Sequence, residues 1–81
     1  MPQHRILTFA AAADICGGAS VQLDLPEGST VADLRRHLIE RHPGLGELSD
    51  FAIARNQVFA GPRDAIGVGD ELAVIPPVSG G

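Results

Sequence analysis

The sequence predicts an α+β domain in which a mixed sheet carries one main helix on one face. Three features lead there. The chain has 81 residues, a length that suits one domain. Strand-like runs occupy both ends, at residues 5–10 and 71–75. Between them, a single segment from Thr30 repeats its apolar residues at helical spacing.

Residues 5–10 (Arg5, Ile6, Leu7, Thr8, Phe9, Ala10) are rich in β-formers and read as the first strand. Alanine-rich residues 10–16 suit a short helical turn, which Gly17 and Gly18 break. Cys16, beside that break, reads as a small buried hydrophobe. Residues 21–25 alternate strictly, so Val21, Leu23 and Leu25 share a buried face. The short connection between these two strands predicts an antiparallel pair. Pro26, Glu27 and Gly28 turn the chain. Thr30 then caps a helix, and Asp33 three residues later completes a capping box. Val31, Leu34, Leu38 and Ile39 form the apolar stripe, with Arg35, Arg36, Glu40 and Arg41 mostly off it. His42, Pro43 and Gly44 end the helix.

Beyond the helix, residues 45–50 read as an irregular connection with one helical turn. Residues 51–55 and 58–60 are two short strands around the turn pair Asn56 and Gln57. Residues 61–69 form a polar loop containing Gly and Pro, and Gly69 with Asp70 turns into the last strand at 71–75. One helix covers only one sheet face. A right-handed crossover places the last strand parallel to the first, in the sheet centre. This is the β-grasp arrangement of ubiquitin-like domains.

Composition narrows the function. Net charge is −4, from ten acids against six arginines, with no lysine. A nucleic-acid binder would show a basic face, so this balance argues against one and suits an acidic module with basic partners. The single cysteine forms no internal disulfide and no zinc cluster, which fits the reducing cytoplasm. His37 and His42 are five apart, off a common helix face, so no metal site is expected. No segment is long enough to span a membrane. Arg5 with residues 6–13 has the outline of a short signal peptide, but cleavage near Ala13 would remove the first strand, and Thr8 interrupts a minimal apolar core. At this size only about 60% of the unfolded surface is buried, so modest stability is expected. The sequence shows no nucleophile–base pair, paired catalytic carboxylates or phosphate loop.

Chemistry is instead concentrated at the end of the chain: Pro76, Pro77, Val78, Ser79, Gly80, Gly81. Proline lacks an N–H and has a fixed φ, so it stops sheet pairing and holds the chain extended. Two glycines remove all side-chain bulk beside the terminal carboxylate. Six residues reach up to ~20 Å. Residues 1–75 therefore read as the folded domain and 76–81 as a thin arm that enters a narrow active site while the domain stays outside. The same composition suits an inert terminus.

Phe9 and Ala10, the capped helix from Thr30, Asn56 in the short hairpin, and the run from Gly69, Asp70 and Glu71 to Gly81 together resemble the MoaD/ThiS sulfur-carrier family, nearest its molybdopterin-synthase small-subunit branch. The prolines Pro76 and Pro77 with Val78 and Ser79 match that branch, whereas thiamine-type carriers usually lack the proline pair. Two positions depart from the family pattern: Ala13 stands where an Arg is common, and Val68 where an Asp is usual.

The resemblance implies a sulfur carrier. An E1-like (MoeB-like) adenylyltransferase would use ATP and magnesium to adenylate Gly81; the chain itself would bind no cofactor. Sulfur from a donor such as a cysteine desulfurase or rhodanese would displace AMP and leave a thiocarboxylate. Pro76, Pro77, Val78, Ser79 and Gly80 would insert into a MoaE-like large synthase subunit, where Gly81 would give sulfur to cyclic pyranopterin monophosphate. The alternatives are a carrier for thiamine or amino-acid biosynthesis, and a ubiquitin-like modifier or binding module. A docking face is also expected. If Leu72 and Val74 meet the helix, Ala73 and Ile75 point the other way, and Phe59 extends an apolar patch at the root of the arm. The competing expectation is that Phe59 and Ile75 complete the core.

Overall fold

The computed structural model describes residues 2–48 and 51–76. Its strands are β1 (Gln3–Thr8), β2 (Ser20–Asp24), β3 (Ala52–Arg55), β4 (Val58–Phe59) and β5 (Leu72–Ile75). Helix α1 (Ala10–Cys16) joins β1 to β2, and α2 (Val31–Arg41) leads into a 3₁₀ turn, Pro43–Glu47. The sheet order is β2-β1-β5-β3-β4. The last strand thus lies in the middle and parallel to β1, as expected, and it is antiparallel to β3.

The first strand differs from its expected bounds: it spans Gln3–Thr8, so Phe9 and Ala10 are outside it. Phe9 becomes the extended N-cap of α1, and Ala10 takes a left-handed φ of 50°. The amides of Ala12 and Ala13 donate to the Phe9 carbonyl, so the alanine-rich segment closes its own helical bonds here. α1 is then seven residues long and ends at Gly17, whose φ of 78° is the left-handed cap that only glycine adopts freely. Cys16 is half-buried and packs against the core, and burial pushes its thiol pKa up. Asn56 and Gln57 take φ of 53° and 71°, the left-handed pair of a tight hairpin turn.

Thr30 caps α2 as its sequence announces. Its hydroxyl accepts from the Asp33 amide at 3.3 Å, and Asp33 Oδ2 accepts from the Thr30 amide at 3.0 Å. The next two unpaired helix amides are also satisfied. Val31 N donates to the Asp64 carbonyl at 2.9 Å, and Ala32 N to the Pro62 carbonyl at 3.0 Å. The polar loop is therefore bound along the start of α2, which fills the donors that a helix otherwise leaves to water or ligand.

The core lies between the sheet and the helices. Ile6, Leu72 and Val74 from the central strands meet Leu34 and Leu38 from α2, all with 0% exposure. Val21, Leu23 and Leu25 are buried together, as their alternation predicts. Ile39 is half-buried at the edge of the stripe. Arg35 lies 4.2 Å over the Phe51 ring and donates to the Phe51 carbonyl, so its stem and head cover this end of the core.

Candidate functional site

Both helices contribute to the core side of the sheet, and the opposite face carries its own apolar row. The register aligns Leu7 with Ala73, Ala73 with Ala54, and Ala54 with Phe59. This row crosses β1, β5, β3 and β4. Because successive side chains in a strand point to opposite faces, Leu72 and Val74 in the core put Ala73 and Ile75 on the open side.

The row is concave. Ala54 and Ala73 are small and only 9% exposed, and they form the floor. Leu7, Phe9, Phe59 and Ile75 are taller and form the walls of a shallow groove of about 270 Å³. Phe59 is 70% exposed and Phe9 48%, so these rings stand into solvent rather than completing the core. Ala73 differs from the expectation of an exposed contact: its methyl lies on the open face, but the larger neighbours shut it off from solvent. Ile75 is half-buried at the end where the chain leaves the sheet.

The groove has polarity along its length. Gln57 and Glu71 close one end. Ile75 and then the half-buried Pro76 lie at the other, directly before the arm. Glu71 is exposed, and among the described residues the one side-chain ion pair is Arg36 with Asp33 at 3.3 Å. A partner on this face would meet apolar walls near the arm and a carboxylate farther away. Pro77, Val78, Ser79, Gly80 and Gly81 lie outside the described residues.

Asn56, Asp70 and Glu71 are brought together by the fold. The Asn56 amide donates to the Glu71 carbonyl at 2.7 Å, and the Glu71 amide donates to Asn56 Oδ1 at 2.9 Å. Asn56 Nδ2 donates to Asp70 Oδ1 at 3.1 Å, while Asp70 Oδ2 accepts from the Gly67 amide at 2.7 Å. The Gly67 amide, then Asn56, holds the Asp70 carboxyl below the usual carboxylate range. Val68, in the same turn, is 74% exposed, so the departure from Asp there meets solvent. Ala13 is half-buried in α1, where its carbonyl accepts from the Gly17 and Gly18 amides.

The groove brings together Phe59, Ala73 and Ile75, which the sequence reading named, with Leu7, Phe9 and Ala54, which it did not place on this face. The signal was available. Ile6 with Leu7, residues 51–54 and residues 72–75 are continuous apolar runs rather than alternating ones, the pattern of strands covered on both faces. Among the described residues no three His, Cys, Asp or Glu gather into a metal-binding group. No described helix is long and apolar enough to cross a membrane.

A model of the ThiS family matches residues 6–81. The chain belongs to the ThiS family. The match takes in both the groove and the arm of this ThiS-family chain. A molybdopterin synthase sulfur carrier subunit from Chlamydomonas reinhardtii is 35% identical, with 98% of this chain and 99% of that one covered. Small archaeal modifier protein 1 from Haloferax volcanii is 39% identical over 90% of this chain and 94% of its own. A crystal structure of that protein superposes with a TM-score of 0.85, covering 96% of this chain and all of that one, at 30% identity. A complex of subunits 1 and 2 of the molybdopterin-converting factor from Helicobacter pylori contains the same fold, with a TM-score of 0.66, 23% identity and coverage of 98% and 99%. The ubiquitin-like β-grasp fold is thus shared across carrier-named and modifier-named proteins.

Proposed function

We propose that this chain is the sulfur-carrier subunit of a molybdopterin synthase. The observation that carries the reading is the 35% identity to a sulfur carrier subunit over nearly all of both chains, together with the Pro76 to Gly81 ending. The chemistry requires little from the domain beyond presentation. The Gly81 carboxylate attacks the α-phosphorus of ATP on a MoeB-like partner and releases pyrophosphate. The terminal sulfur of a persulfide on a desulfurase or rhodanese displaces AMP to give an acyl disulfide, and a thiol reductant cleaves its S–S bond. The resulting thiocarboxylate places a soft anionic nucleophile at an unhindered tip. Acid–base and phosphate-binding groups come from the partners.

The groove supports a division of labour. β5 ends at Ile75, and Pro76 cannot extend the ladder because it has no N–H. A MoaE-like large subunit gripping Phe59 and Ile75 holds the root of the arm while residues 76–81 enter its pocket. A second reading is favoured by the 39% identity to small archaeal modifier protein 1: attachment of Gly81 to lysine amines of other proteins. This chain has no lysine, so side-chain amines for such bonds lie on the target.

One experiment separates these readings. The chain is incubated with a cognate E1-like protein, ATP, magnesium and a sulfur donor, and its intact mass is measured. Exchange of one terminal oxygen for sulfur is expected. Adding the large subunit and cyclic pyranopterin monophosphate should return the ordinary mass and yield the dithiolene product. No mass change with a demonstrably active partner rejects the carrier reading. Peptides carrying residues 64–81 on a target lysine after trypsin digestion would support the modifier reading.

A further inference from the structure

We propose that Asn56 and Asp70 act as a positioning unit that fixes the distal wall of the docking groove, so that their loss weakens docking without altering chemistry at Gly81. The proposal rests on the reading of the groove as the docking face. The wall needs such a device. β4 has two residues, Val58 and Phe59, and lies at the sheet edge. It pairs only with β3, through Ala54 with Phe59 and Arg55 with Val58. A ladder this short is a weak support for a ring that is 70% exposed. Three hydrogen bonds join Asn56 in the β3–β4 turn to Asp70 and Glu71, just before β5, and a fourth, from the Gly67 amide, holds Asp70 itself. Gln57 and Phe59 hang from that turn, and Glu71 lies across from them.

Asn56 meets two requirements at once. Its φ of 53° is left-handed, which Asn tolerates better than most residues. Its amide also supplies an acceptor for the Glu71 amide and a donor for Asp70. Glycine would satisfy the first requirement and not the second. The unit sits at the end of the groove away from the arm. Ile75 lies four residue steps beyond Glu71, about 13 Å of strand. Losing the link should change how the groove receives a partner and leave the tip alone.

A reciprocal exchange tests this. Asn56→Asp alone faces two carboxylates across 3.1 Å. Asp70→Asn alone offers one carbonyl oxygen to two donors, the Gly67 amide and the Asn56 side chain. The double variant, Asn56→Asp with Asp70→Asn, restores every bond with the side-chain donor and acceptor reversed. Thiocarboxylated carriers are titrated against the large synthase subunit with cyclic pyranopterin monophosphate. Each single variant should raise the half-saturating carrier concentration about five- to tenfold with the maximum rate within about twofold, and the double should return near the original value. Unchanged half-saturation in the singles, or a double no better than the singles, overturns the proposal. Hydrogen exchange at the Ala60 and Glu71 amides of the free chain, which donate to the Ile53 carbonyl and to Asn56 Oδ1, gives a partner-independent readout. It should quicken in the singles and recover in the double, and equal exchange in all four proteins also overturns the proposal. If the thiocarboxylated carrier of parent sequence shows no saturable dependence of rate on its concentration, the docking reading fails by itself, and amide exchange then decides whether the two residues hold the turn.

Discussion

Replacing Phe59 by serine should separate folding from docking. The ring is 70% exposed, so roughly a third of a ~200 Å² side chain is covered in the free domain. At ~25 cal/mol per Å², removing that covered part costs about 1.5 kcal/mol of stability. The uncovered part, about 140 Å², is available to a partner, and its burial is worth up to ~3.5 kcal/mol. Affinity for the large synthase subunit should therefore fall by about 2–3 kcal/mol, some 30- to 150-fold, while the domain stays folded. Leu72→Ala is the control: Leu72 is 0% exposed in the core, and truncation there costs about 2–5 kcal/mol. Urea unfolding followed by far-ultraviolet circular dichroism reads stability, since the chain has no Trp or Tyr. Isothermal titration calorimetry reads affinity. A Phe59→Ser variant that loses as much stability as Leu72→Ala, or that binds as tightly as the parent, would refute the assignment of this face.

Three further outcomes are expected. Extending the chain by one residue after Gly81 should abolish oxygen-for-sulfur exchange in intact-mass spectra while leaving the thermal midpoint unchanged; full exchange by the extended, unprocessed chain would contradict the role of the free carboxylate. Thr30→Ala removes the hydroxyl that accepts from Asp33 N and should cost about 1 kcal/mol in urea unfolding, whereas an unchanged midpoint would show that the loop bonds at Val31 and Ala32 suffice. Hydrogen bonds, first from the Thr30 amide to Asp33 and from the Gly67 amide to Asp70, hold both carboxyls below their ordinary range. A depressed folded pKa gives stability that is present above the unfolded value, near ~3.9, and is lost as pH falls through the folded one. Urea midpoints should thus be flat down to about pH 5 and fall below about pH 4, less steeply in Asp33→Asn; a fall of the same steepness in that variant would remove Asp33 as a cause.

The sequence by itself determined the local features. Thr30 and Asp33 are three residues apart, and a capping box needs nothing more distant. Val31, Leu34 and Leu38 share a face because helical geometry puts them there. The central, parallel placement of β5 was also legible, since one helix and one long crossover leave few ways to close the sheet. Tertiary structure decided what depends on pairing across the chain. Phe9 and Ala10 look like strand, but the α1 amides bond to the Phe9 carbonyl and turn the chain out of the sheet. Ala73 lies on the open face, yet it became a groove floor because Leu7 and Phe9, Phe59, and Ile75, from three separate segments, rise around it. Asn56 and Asp70 are fourteen positions apart and meet only because β3 runs antiparallel to β5. Spacing along the chain sets which residues share a face of one element; register between strands sets which residues share a site, and that register exists only once the sheet has formed.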